Sequence, residues 1–150
     1  MHTLREATPA DRDQVCEVWD VSGITNRWNN PPVDFDLAMA TPTSTIFVAE
    51  ADGVIDGVIM PGFDGHRGWL HMVGVRPKVQ GSGIGRMLVN AAVKYLADLG
   101  TPAIHLMVMP TNTQAVKFWE HYGFERIDPP VWNLNPDTFA ATAQTKTQSV

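Results

Sequence analysis

A chain of 150 residues that is 44% hydrophobic and 18% charged, with 12 glycines and 11 prolines, is long enough to bury one sizeable core. That composition excludes collagen-like, heptad-repeat and wholly disordered classes. The formal net charge is −5 and the 11 lysines and arginines are scattered, which argues against a nucleic-acid partner. Cys16 is the only cysteine, so internal disulfides and multi-thiolate metal sites are excluded, no metal is expected, and a reducing, cytoplasmic compartment is the natural assignment. No run approaches the roughly 18 apolar residues of a membrane span, and MHTLREATPADRD lacks the apolar core of a signal peptide.

Thr3 to Ala7 reads as a short strand. Thr8 is a plausible N-cap with Pro9 at the first helical position, and Val15, Val18 and Trp19 recur at helical spacing, which predicts a helix from about Pro9 to Val21. Ser22 to Pro32 is polar and turn-rich and reads as a loop, with Asp34 capping a second short helix through Met39. Ile46 to Ala51, the turn Asp52-Gly53 and Val54 to Met60 form a β-hairpin. After the turn Gly62 to His66, the run Trp69 to Val75 completes an antiparallel meander that Pro77 stops.

Gly83 to Leu99 carries apolar residues at i, i+3, i+4 and i+7 and ends at Gly100, the signature of an amphipathic helix. Ile104 to Met109 reads as a strand, Thr111 to Tyr122 as a helix capped by Thr111 or Asn112 and closed by Gly123, and Phe124 to Ile127 with Val131 to Leu134 as two further strands. Helix-linked strands after Val75 require a crossover, so the expected class is α/β (α+β). The sheet is mixed, with about six to seven strands, an antiparallel first half and about four flanking helices. Residues 1–136 form one domain on this reading. The polar stretch 137–150 is too poor in apolar residues to order itself and is expected to fray.

The chemistry concentrates between the third meander strand and the best helix, where Gly81, Gly83 and Gly85 alternate with Ser82 and Ile84. Glycine permits φ > 0 and leaves no side chain in the way, so successive N–H groups are able to converge on phosphate oxygens at the positive end of the helix. The spacing is G-x-G-x-G, not the dinucleotide G-x-G-x-x-G, and no Gly-Lys-Ser/Thr follows as in a P-loop. On spacing alone, a plain turn before a helix remains the alternative.

Gln80 to Gly85 matches the Q/R-x-x-G-x-G/A motif of the GNAT acetyltransferase superfamily, preceded by a V-x-P at Val75 to Pro77. Asn112 to Phe124 is similar to that family's N-x-x-A-x-x-F/L-Y-x-x-x-G-F pattern, in register with the first motif. Within the family the chain resembles the YpeA-like branch at Trp28-Asn29-Asn30-Pro31 and at Gly62 to Gly68. The resemblance runs from Thr3 to about Leu134 and implies a single-domain GNAT fold and acetyl-CoA-dependent N-acetyl transfer to a small-molecule, amino-acid or peptide amine. A homodimer is compatible with it.

Position by position, the resemblance implies that the backbone of Val73 and Val75 pairs with the pantetheine arm of the donor. It assigns the pyrophosphate to the N–H groups of Gly81, Gly83, Gly85 and Arg86, within a loop that Gln80 begins and Ser82 and Ile84 complete. Asn112, Ala115 and Phe118 are to flank the cofactor from the later helix. Arg27, Trp28, Asn29 and Trp69, with Trp132, are candidate acceptor-site residues, since tryptophan offers contact area and one donor; covering of the sheet is the alternative for Trp69 and Trp132.

An ammonium has no lone pair with which to attack a thioester, so a base or water chain is expected. His71 is the first candidate: period two places it on the face of Val73 and Val75, and some family members carry a His or Glu on that strand. A packed strand histidine is the competing reading, and His105, His66 and Glu50 are weaker candidates. Trp119 stands where many family members have a tyrosine that protonates the leaving thiolate, and indole has no transferable acid proton at physiological pH. Tyr122, one turn on, is the alternative acid. Two rival functions follow: a CoA-binding sensor without catalysis, and an acyltransferase for a longer donor accommodated by Met60, Met72, Met107 and Met109.

Overall fold

The computed structural model describes residues 1–137, which fall into two compact units, one of residues 1–116 and a second that begins at Lys117. In chain order the elements are β1 (Thr3–Glu6), α1 (Arg12–Val21), α2 (Pro31–Ala40), β2 (Phe47–Ala51), β3 (Val54–Phe63), β4 (Gly68–Val75), α3 (Ile84–Asp98), β5 (Ile104–Leu106) and α4 (Thr113–Tyr122). Single 3-10 turns, Pro9–Asp11 and Pro77–Val79, lead into α1 and follow β4. No helix among the described residues is long and apolar enough to cross a membrane.

The sheet has the order β1-β2-β3-β4-β5. The first three pairings are antiparallel and β4 with β5 is parallel, as a crossover through α3 demands. Asp52 and Gly53 both have positive φ, 52° and 77°, the two-residue turn whose twist suits a hairpin. The mixed sheet and the four helices agree with expectation; the strand number does not. Five strands are present among the described residues, because Phe124–Ile127 and Val131–Leu134 are irregular. Ile127, Val131, Trp132 and Leu134 are exposed, and a strand that neither pairs nor buries a face gains nothing to offset its ordering entropy. β5 is likewise shorter than expected, with Met107 and Met109 exposed beyond it. The fraying expected of 137–150 falls, from 138 on, outside the described residues.

α2 begins at Pro31 and its N-cap is Asn30, four residues before the Asp34 cap expected from the sequence. Pro31 occupies the first helical position, where a missing N–H costs nothing and its fixed φ already suits the helix, and Asp34 N–H donates to Asn30 O at 2.8 Å. The 3-10 turn that leads into α1 is capped by Thr8, whose N–H donates to Asp11 Oδ2 at 2.7 Å while the Asp11 N–H donates to Thr8 O at 2.9 Å. α3 ends as a Schellman turn, with Gly100 (φ 79°) donating to Ala97 O and Thr101 to Leu96 O.

α1 and α2 cover one face of the sheet and α3 the other. Val15, Val18 and Trp19 of α1 and Phe35 and Ala38 of α2 pack with Ile46, Val48, Ile55 and Val58, while α3 buries Ile84, Leu88, Val89, Ala92 and Leu96. Two glycines set how closely helices approach. A Cβ on Gly57 would lie 2.6 Å from Ile84 Cγ2 and 2.9 Å from Leu88 Cδ1, so the start of α3 sits directly on β3. A Cβ on Gly74 would lie 2.5 Å from Ser22 Oγ, so the end of α1 sits directly on β4. Gly57→Ala is therefore expected to cost about 1–3 kcal/mol through overpacking, visible as a lower urea midpoint at unchanged slope.

Candidate active site

The glycine loop is folded by its own side chains. Gln80 Nε2 donates to Val75 O at 3.1 Å, which ties the loop to the end of β4, and Ser82 Oγ donates to Val79 O, which ties it to the 3-10 turn before it. Gly81 (φ 82°) and Gly83 (φ 88°) take left-handed conformations with open space where a Cβ would stand, and Gly83 is the N-cap of α3. The first bond of the helix runs from Met87 N–H to Gly83 O, which leaves the N–H groups of Ile84 and Gly85 without an intrahelical acceptor at the positive end of a 15-residue helix. Arg86 follows in the same turn. The Ile84 side chain is buried beneath Gly57, so that residue contributes only its backbone to the surface.

Behind the loop, Arg76 ties three elements together. Its Nε donates to Ile55 O at 2.9 Å and lies 3.5 Å from Asp56 Oδ1, its Nη1 donates to Glu17 at 3.2 Å, and its backbone N–H donates to Asp56 O. Because successive N–H groups of a strand point to opposite sides, the Val75 N–H is directed away from β3, toward the side of β5. On that side β4 is open: pairing covers Gly68–Leu70 against Ile104–Leu106 and stops, so from His71 onward the two strands fork.

The middle of β4 holds a β-bulge. Val58 pairs with Gly74 and Met60 with His71, so Met72 and Val73 together oppose Ile59, and Met72 has φ 52°. Trp19, wholly buried in α1, donates from Nε1 to Met72 O at 2.8 Å. Asn29 Nδ2 reaches Met72 Sδ at 3.6 Å.

This bulge overturns the expectation that His71 shares a face with Val73 and Val75. Paired residues share a face: Val75 lies opposite Gly57 and so faces α3, whereas His71 lies opposite Met60, which packs against the core beneath α1 and α2. His71 thus projects from the α1/α2 face at the point where the fork opens, while Val75 presents its N–H along the edge.

The His71 imidazole stacks flat on Trp69, with centroids 5.8 Å apart and planes 6° from parallel, and burial pushes its pKa down. It is therefore neutral at pH 7, the form that accepts a proton. Trp69 is held in turn by Asp64, whose carboxylate accepts from its Nε1 at 3.2 Å and from the backbone of His66 and Arg67. His105 packs against the same indole at 5.3 Å. The other base candidates are differently placed. Glu50 is bound by the Arg5 guanidinium, which also pairs with Asp11 and holds that carboxyl down at about 2, and His66 is exposed in the turn beside Arg67.

In the loop between α1 and α2, the Arg27 guanidinium lies 4.5 Å over the exposed Trp28 ring. Asn29 is more constrained: it accepts from Asn26 N–H at 2.8 Å and donates to Asp34 and Met72. Asn112 caps α4 by accepting from Ala115 N–H at 3.2 Å. In the unit beginning at Lys117, Trp119 is buried edge-on between Phe118 and Phe124, and Tyr122 packs on the same two rings, an aromatic cluster that Gly123 closes with a Schellman turn.

Trp19, Arg76 and Asp64 were missed as site-building residues. Trp19 read as one more apolar helix position. Its signal was chemical: a core tryptophan carries one N–H that must find an acceptor.

A model described as the acetyltransferase (GNAT) family matches residues 7–124. Solved structures similar in fold include aminoglycoside N-acetyltransferase AAC(6')-Iy with a CoA-linked bisubstrate analogue, at TM-score 0.78 and 16% identity over 90% of this chain and 98% of that one. Glucosamine-6-phosphate N-acetyltransferase from Arabidopsis thaliana aligns at TM-score 0.73 and 15% identity, over 89% and 98%. A transcriptional regulator from Bacillus halodurans aligns at TM-score 0.73 and 20% identity, over 90% and 100%.

Proposed function

The chain belongs to the GNAT acetyltransferase family, and from that premise we propose that this acetyl-CoA-dependent enzyme acetylates a primary amine of a small molecule, amino acid or peptide by direct transfer. The observation that carries the reading is the junction of the open β4 edge with the glycine-lined start of α3. The edge suits the peptide-like pantetheine arm, as an added strand on Val73 and Val75, and the loop suits its pyrophosphate, received by the N–H groups of Gly81, Gly83, Gly85 and Arg86.

The donor then lies in the edge and the acceptor amine comes from the α1/α2 face, past Arg27, Trp28 and Trp69. His71, at the apex of the fork, takes a proton from the amine directly or through one water. The amine nitrogen bonds to the carbonyl carbon, a backbone N–H of the open edge near Val75 stabilises the oxygen charge that develops, and the C–S bond breaks to release CoA thiolate. Because a thiol has a pKa of about 8.5, the thiolate leaves tolerably and water supplies its proton, so the buried Trp119 is compatible with turnover. The residues resembling the YpeA-like branch favour placement near it, and the single cysteine favours a cytoplasmic site.

The test is a panel of aminosugars, polyamines, amino acids and peptides incubated with acetyl-CoA while free thiol is followed. Acceptor-dependent thiol release supports the proposal. CoA binding with no acceptor across the panel would favour the sensor reading that Trp119 motivates, and faster release from longer acyl-CoA would favour an acyltransferase for a longer donor.

A further inference from the structure

Methionine at φ 52° is an unfavoured backbone state, costing about 1–2 kcal/mol relative to the right-handed regions, and contacts from outside β4 add to the flanking ladder in holding Met72 there. Two groups make these contacts. The Trp19 indole has one donor and no acceptor, it is wholly buried, and Met72 O takes its hydrogen bond. Asn29, itself tied to Asn26 and Asp34, meets the Met72 thioether. One turn beyond Trp19, Ser22 sits so close above Gly74 that a Cβ there would lie 2.5 Å from its Oγ. α1 therefore holds β4 at the bulge itself, through Met72 O, and just beyond it, at Gly74.

The alternative to the bulge is a continuous ladder, and a one-residue slip turns every later side chain to the other face. Such a slip would bring Val73 or Val75 beneath Ser22, which would have to move aside, or carry His71 to the α3 face. The bulge is thus what lets one strand offer an N–H along the fork and a histidine on the α1/α2 face.

We propose that Trp19 is a positioning residue for acetyl transfer: by donating to Met72 O it fixes the β4 bulge that presents the Val75 N–H to the donor and His71 to the acceptor. This rests on the assignment of the β4–β5 fork as the donor site. Trp19 acts at a distance, through the Met72 peptide, and makes no contact with either substrate.

CoA alone serves as the probe, so the experiment needs no acceptor. Trp19→Phe keeps an aromatic ring and removes the donor. The variant is expected to retain a cooperative thermal transition at a lower midpoint while its calorimetric Kd for CoA rises about five- to tenfold, the scale of one net hydrogen bond transmitted to the edge. An unchanged Kd in the folded variant overturns the proposal, since Trp19 would then be core packing only. If the variant does not fold, the Trp19 indole N–H resonance of the 15N-labelled wild type decides. A shift on saturation with CoA supports transmission through Met72, and an unmoved resonance overturns it. Wild-type protein that binds no CoA would instead remove the donor-site assignment, a failure distinct from that of Trp19.

Discussion

Replacing Gly83 with valine is expected to weaken CoA binding about a hundredfold while the core of residues 1–116 stays folded. At φ 88° and ψ 1° a β-branched residue is strongly disfavoured, so the loop would relax to negative φ. The N–H groups ahead of α3 would then no longer converge. Losing one or two charge-assisted hydrogen bonds, about 1.5–3 kcal/mol each, accounts for that loss. The new side chain points into open space, so no core contact is broken and the thermal transition should persist. Calorimetry with CoA and a melting curve on the same sample check both halves. Wild-type affinity in Gly83→Val would remove the loop from the donor site.

His71→Ala is expected to lower kcat/KM for an identified acceptor about a hundredfold or more at pH 7, with the Kd for CoA unchanged, because a positioned base contributes about 10²–10⁴. The pH profile tests the role more sharply. Burial holds the imidazole below its ordinary value, so the acid limb of kcat/KM should fall below about 6.5 with an acceptor amine of low pKa, and the limb should vanish in the variant. The same shift has a sign for stability. The folded state binds fewer protons at His71 than the unfolded chain, so its contribution is complete above the unfolded value and is lost as pH falls through the folded one. Acid unfolding of His71→Ala should consequently begin at a lower pH than that of the wild type.

How far the sequence reached differs from element to element. α3 and its glycine loop were legible because 3.6-residue periodicity, left-handed glycines and the closing Gly100 are local properties, written where they act. Pro31-Pro32 read as loop because proline is ambiguous between breaker and first helical turn, and the structure takes the second option. Phe124–Ile127 and Val131–Leu134 have strand composition, but a strand exists only by pairing, which no single segment encodes. The β4 bulge was invisible for a related reason. Period two describes a strand without insertions, and one residue in the left-handed region reverses the face of everything after it. His71 is a candidate by residue type and strand, and period two misplaces its face for that cause. The Trp19 contact spans 53 residues and depends on that same insertion.

The fork between β4 and β5 also bears on how the protein behaves between turnovers. A strand edge without a paired neighbour invites pairing with another extended chain, the usual starting point of strand-mediated aggregation. On the proposed binding mode the pantetheine arm occupies that edge and acts as a removable protecting strand. Ligand binding to the native state alone stabilises it by about 2.7 kcal/mol at a hundred times Kd. The metabolic supply of the donor would thereby set the protein's solubility and lifetime along with its rate of catalysis.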